Sequence, residues 1–177
     1  MQFNLVCHPA TPPSAPLKVW VSVDHPASLG SVASTNVWFG VGGPADRFVI
    51  PETVEPARAE DLWQTTCFEA FLRIPGDDAY REWNFSPSSE WAAYDFKSHR
   101  EGRTDAEVAP PYIRIEDNLT WWAIGATFPV QADAVWALAL STILEERNGT
   151  KSYWALAHPP GDRPDFHAAD CFAASLP

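Results

Sequence analysis

Leu17-Lys18-Val19-Trp20-Val21-Ser22-Val23-Asp24 alternates without a break. Leu17, Val19, Val21 and Val23 fall on one side, and Lys18, Trp20, Ser22 and Asp24 on the other. A period of two is the mark of a β-strand with one face buried. Residues 66–74 repeat the pattern: Phe68, Ala70, Leu72 and Ile74 share one face, Cys67, Glu69 and Phe71 the other. Shorter stretches of the same kind predict strands over 35–41, 47–50, 80–85, 91–97, 112–115, 119–128, 151–157 and 171–174. Turn chemistry separates them, as in Gly42-Gly43-Pro44, Pro75-Gly76-Asp77, Ser86-Pro87-Ser88-Ser89 and Asn148-Gly149. Residues 56–63 suit one helical turn, and 98–111 read as a polar loop. Residues 134–144 are apolar on both faces, as a central strand would be; their Ala content leaves a helix as the alternative.

Many short strands and no convincing long helix mean an all-β fold, an antiparallel sandwich or barrel. The 17 Pro residues agree, because Pro breaks helix interiors and avoids central strands. A chain of 177 residues without a linker or repeat is expected to form a single domain over 1–177. Twelve Lys and Arg against 23 Asp and Glu give a formal net charge of −11. Phosphate neutralisation needs clustered cations, so nucleic acid and anionic membrane are not expected partners. The three cysteines, Cys7, Cys67 and Cys171, are too few for a disulfide scaffold and lack zinc-site spacing; Cys7 and Cys171 could meet if the terminal strands pair. The N-terminus has neither a basic start nor a long apolar stretch, so no signal peptide and a cytoplasmic location are expected.

Two groups of residues could carry function. Glu69 and Asn84 fall on one predicted sheet face with aromatics beside them, and Trp63 precedes Glu69 by a short loop. A flat indole beside a carboxyl and an amide suits a sugar, whose apolar face stacks while its hydroxyls bond to planar polar groups. The alternative is structural, with Trp63 capping a core and Glu69 paired with Arg73 or another cation. His158, Asp165 and His167 fall in a Pro-rich segment near the end. They could tie down a loop, contact a ligand, or hold a metal or do acid–base chemistry. No nucleophile elbow or phosphate-binding Gly loop is present.

The stretch Asp61-Leu62-Trp63-Gln64-Thr65-Thr66-Cys67-Phe68-Glu69-Ala70-Phe71-Leu72, with Tyr80-Arg81-Glu82-Trp83-Asn84-Phe85-Ser86-Pro87, Trp91 and Tyr94, resembles the ligand-side motif of DOMON-like domains, relatives of family 9 carbohydrate-binding modules. Ser152-Tyr153-Trp154-Ala155-Leu156-Ala157-His158 and Pro164-Asp165-Phe166-His167 resemble the C-terminal signature of a bacterial branch. The resemblance implies a two-sheet antiparallel β-sandwich of immunoglobulin-like layout. It implies saccharide contacts from Trp63 and Glu69, and a second aromatic for which Trp154 is the candidate. Other members of the superfamily bind haem between Met and His; the sole Met here is Met1, so no cofactor is expected. The resulting expectation is a small-ligand-binding domain for a saccharide, with Trp63, Glu69, Asn84, Trp154, His158, Asp165 and His167 as ligand-binding residues. A non-catalytic protein-partner module and a metal- or His-dependent enzyme are the alternatives.

Overall fold

The computed structural model describes residues 1–25, 32–131 and 134–176. Among the described residues, thirteen strands form two antiparallel sheets. The first holds β1 (Gln2–Asn4), β3 (Val19–Asp24), β4 (Val32–Gly42), β9 (Tyr112–Asp117) and β10 (Trp121–Gln131), in the order β1-β3-β4-β10-β9. The second is built on β5 (Cys67–Arg73), β6 (Tyr80–Phe85), β7 (Trp91–Phe96), β11 (Trp136–Glu145) and β12 (Lys151–Ala155). Its order is β2-β12-β11-β5-β6-β7-β8, with β2 (Val6–Cys7) and β8 (Thr104–Asp105) at the edges. β13 (Ala174–Leu176) pairs with the first part of β11, alongside the edge that β12 takes further on. This is the antiparallel sandwich that the alternation predicts.

The inner faces meet in one apolar core. Val21, Phe39 and Trp122 of the first sheet pack with Phe68, Trp83 and Leu140 of the second. The Phe68 and Trp122 rings meet edge to face at 5.6 Å, and Trp83 lies 5.1 Å from Phe128. Burying each such ring is worth about 2–3 kcal/mol, which is how short strands of weak local preference are held. On the outer face of the first sheet, Trp20 lies over Gly40 and Trp38 over Gly125, so closely that a Cβ at either glycine would meet the indole.

The second sheet differs because its outer face is also covered. Phe71, Tyr80, Phe96, Ala139 and Ile143 point outward yet are buried, under Phe166, Cys171 and Phe172 of the C-terminal segment. That cover explains why 134–144 show no period of two: β11 is buried on both faces and lies between β5 and β12, a strand and not a helix. The strand predicted at 47–50 does not form. Ala45–Arg47 is a 3-10 turn, and Phe48 makes one bridge to Glu146 while its ring fills the core. The predicted last strand moves to Ala174–Leu176, because Ala169–Cys171 form a 3-10 turn that seats Cys171 under the cover. All three cysteines are free thiols. Among the described residues, no helix is long and apolar enough to cross a membrane.

Candidate functional site

The cover over the second sheet is incomplete. Between the C-terminal segment and the 3-10 turn Leu62–Gln64 it leaves a cavity of about 440 Å³. Strand parity decides what reaches it. β5 sends out Glu69, and β6 sends out Glu82, one diagonal step away, since Glu69 faces Asn84 and Phe71 faces Glu82. β7 adds Tyr94 and β12 adds Tyr153. Trp63 stands at the edge, 51% exposed, carried by a turn whose preceding residue, Asp61, adopts a left-handed backbone.

The two carboxyls are buried and share the cavity. Glu69 Oε2 accepts the Ser141 hydroxyl at 2.8 Å, and Glu82 Oε1 accepts the Asn84 amide at 2.7 Å. Burial, and then the neighbouring Glu82, push the Glu69 acid up to about 8, against the Ser141 bond and the Arg100 charge. Burial also raises Glu82, against the Asn84 bond and the charges of Arg100 and Arg103. Two carboxylates in one poorly solvated site cannot both ionise cheaply, so the pair keeps a proton near neutral pH.

Arg100 and Arg103 line the cavity from the loop after β7. Both are already paired. Arg100 donates to Asp165 at 2.8 and 3.2 Å, and His99 bonds the other Asp165 oxygen at 2.8 Å. Arg103 reaches Glu60 at 3.2 Å and lies 4.5 Å over the Tyr94 ring. His167 closes one wall. Its Nδ1 is 2.8 Å from Tyr80 Oη, which also accepts the Arg100 backbone N–H at 3.1 Å. His167 Nε2 lies 3.9 Å from Glu82. Burial, then Arg100, lower His167 to about 4, so it is neutral.

Of the residues singled out from the sequence, Trp63, Glu69 and His167 meet around this cavity. Asn84 lies beneath, holding Glu82. Asp165 stands behind the rim and holds Arg100. Trp154 is a correction: it is buried between the sheets, its Nε1 on Ser152 Oγ at 2.9 Å, because β12 turns Ser152 and Trp154 inward and Tyr153 outward. His158 is a second correction. It lies beyond β12, donating Nε2–H to the Val6 carbonyl at 2.8 Å and packing edge-on to His8, so it does not join His167. Among the described residues, no three His, Cys, Asp or Glu side chains are placed to hold a metal ion. Nor does Glu69 pair with Arg73, which stacks 4.2 Å from the Phe172 ring.

Sequence reasoning did not include Glu82, Tyr94, Tyr153, Arg100 and Arg103 in the site. Glu82 was legible, since the alternation that turns Asn84 outward turns Glu82 the same way. The arginines come from a polar loop with no periodic signal.

No protein-family model matches the chain, and no curated protein sequence does. Solved structures of similar fold include a candidate carbohydrate-binding protein from Bacteroides uniformis, at TM-score 0.66 and 15% identity. That likeness covers 99% of this chain and 85% of the other and establishes the sandwich fold. A family 9 carbohydrate-binding module from Caldicellulosiruptor kristjanssonii, in complex with glucose, is similar at TM-score 0.47 and 10% identity, over 88% of this chain and 75% of the module.

Proposed function

We propose that this chain is a single DOMON-like binding domain that takes a saccharide in the cavity on the outer face of its second sheet. The observation that carries this reading is the half-exposed Trp63 ring at the edge of a cavity that also holds the buried Glu69 and Glu82 carboxyls. An indole free of core packing offers a flat apolar face to a pyranose. The carboxyl pair offers both a donor and acceptors to its hydroxyls, and Tyr153, rather than Trp154, is the second aromatic wall. Asn84 and Asp165 act through Glu82 and Arg100, and His167 forms part of the wall. An open cavity supports a small ligand over a flat protein-docking face. The fold shared with the Bacteroides uniformis protein, itself a candidate carbohydrate-binding protein, agrees with this reading.

The test is a tryptophan-fluorescence and calorimetric titration of the protein against mono- and oligosaccharides. Saturable binding that Trp63→Ala abolishes, while circular dichroism stays unchanged, supports the reading. Binding of every ligand unchanged in Trp63→Ala sinks the site, and a flat response to the whole panel sinks the saccharide.

A further inference from the structure

Glu69 and Glu82 are more than nine-tenths buried, yet each keeps one oxygen without a hydrogen bond. Neither oxygen is among the sealed, partnerless polar atoms, so both open on the cavity they line. Among the described residues no Lys or Arg lies within 4 Å of either carboxyl, and the nearest ring nitrogen, His167 Nε2, is 3.9 Å away on a neutral imidazole. The two arginines at the cavity are spent on Asp165 and Glu60. The site thus holds a buried acidic pair with no cation bonded to it, on which Arg100 and Arg103 act only from beyond 4 Å, walled by Trp63 and Tyr153.

Each ligand class meets this arrangement differently. An incoming carboxylate or phosphate would face two buried carboxyls. A neutral sugar would expel water and leave the pair still less compensated. An ammonium group carries three donors, enough for both free oxygens at once, and a positive charge that aromatic faces attract.

We propose that the cavity takes a saccharide bearing a primary ammonium group, seated between the free oxygens of Glu69 and Glu82, with the sugar ring against Trp63. The proposal rests on the saccharide reading above. Docking the cation displaces the proton that the pair retains, so binding releases about one proton to solvent. The other titratable and charged groups around the pair are Asp61 on the turn, Tyr94 on β7, Tyr153 on β12, and Arg100, Arg103 and His167 at the wall. Cys67 lies beneath, with Tyr80 and Asp165 behind His167 and Arg100. None of these takes the place of the pair as cation receptor: the acids among them are exposed or committed to Arg100, and His167 faces the pair as a neutral ring.

The experiment is calorimetry of the full chain at pH 6.5 against glucosamine, N-acetylglucosamine, glucose, their β-1,4 dimers, and 1,4-diaminobutane as an ammonium probe without a sugar. Repeating it in buffers of different ionisation enthalpy reads the proton. The proposal expects the amino sugar to bind about tenfold or more tighter than its N-acetylated form, with proton release. It expects Glu82→Gln to erase that preference. The proton count needs no variant, so a Glu82→Gln chain that fails to fold leaves it standing as the deciding readout. Equal, Trp63-dependent binding of glucose and glucosamine without proton release would overturn the ammonium proposal and keep the saccharide reading. Binding of 1,4-diaminobutane with no sugar bound would overturn the saccharide reading, and this proposal with it. No binding of glucosamine or its dimer overturns the proposal.

Discussion

Tyr80 Oη lies 2.8 Å from His167 Nδ1, a bond across 87 residues of sequence that ties β6 to the segment covering the second sheet. Tyr80 also accepts the Arg100 backbone N–H, and burial holds His167 neutral. Nuclear magnetic resonance of the imidazole should show no titration until about pH 4. The unfolded chain takes up this proton near the ordinary His value and the native protein does not. Stability from His167 is therefore complete above about pH 6.5 and declines as pH falls towards 4. Relative to His167→Gln, the protein should lose on the order of 3 kcal/mol across that window, measured by urea unfolding. Titration of His167 near pH 6.5 would refute the assignment.

Glu69 acts with the opposite sign. Its native carboxyl keeps a proton that the unfolded chain releases near pH 4.5, so its contribution falls as pH rises from there to about 8. Glu69→Gln keeps an acceptor for Ser141 and removes the charge. The variant should match the native protein near pH 4.5 and exceed it by roughly 1–3 kcal/mol at pH 8.5, while losing ligand binding. Thermal unfolding at the two pH values checks this, and a variant less stable at pH 8.5 would contradict it.

Trp63 and Trp154 should separate function from stability. Trp63 is half exposed, so Trp63→Ala should change unfolding free energy by no more than about 1 kcal/mol. Trp154 is 5% exposed in the core, and Trp154→Ala should cost about 3–5 kcal/mol through the cavity left behind. Chemical denaturation of both variants decides this, and equal costs would mean the core assignment is wrong.

Glu146 anchors the 3-10 turn and the N-terminal arm. It is 2% exposed and accepts Arg47 Nε at 2.9 Å, Arg47 Nη2 at 3.1 Å, the Ser14 backbone N–H at 2.8 Å and the Ser14 hydroxyl. Burial pushes its carboxyl up, but the bonds from Arg47 and Ser14 outweigh that and hold it below the ordinary value. Its stabilisation is present above the ordinary Glu value and is lost as pH falls below it. Glu146→Gln should cost about 2 kcal/mol at pH 7 and less in acid, read from denaturation midpoints. A pH-independent cost would show that the charge is not what matters.

The sandwich was legible because a strand with one solvated face writes its orientation into the sequence every second residue. That code placed Glu69 and Asn84 on one face, and would have placed Glu82 there too. At 134–144 it gave a central strand but left a helix open, and at Trp154 it failed. Where both faces of a sheet are buried, apolar residues occupy both parities and nothing local says which points outward. Arg100 and Arg103 were invisible for another reason: a loop residue reaches its site through the path of the loop, here fixed by Asp165 from 65 residues away. Local alternation sufficed for most of the strands, their inner faces and the common face of Glu69 and Asn84, but not for the 3-10 turns at 45–47 and 169–171. The packing of distant segments laid the C-terminal segment over the outer face, set Tyr153 rather than Trp154 at the cavity, neutralised His167, and left two buried carboxyls with no cation bonded to them. Burial and long-range pairing set those properties, and neither is a property of neighbouring residues.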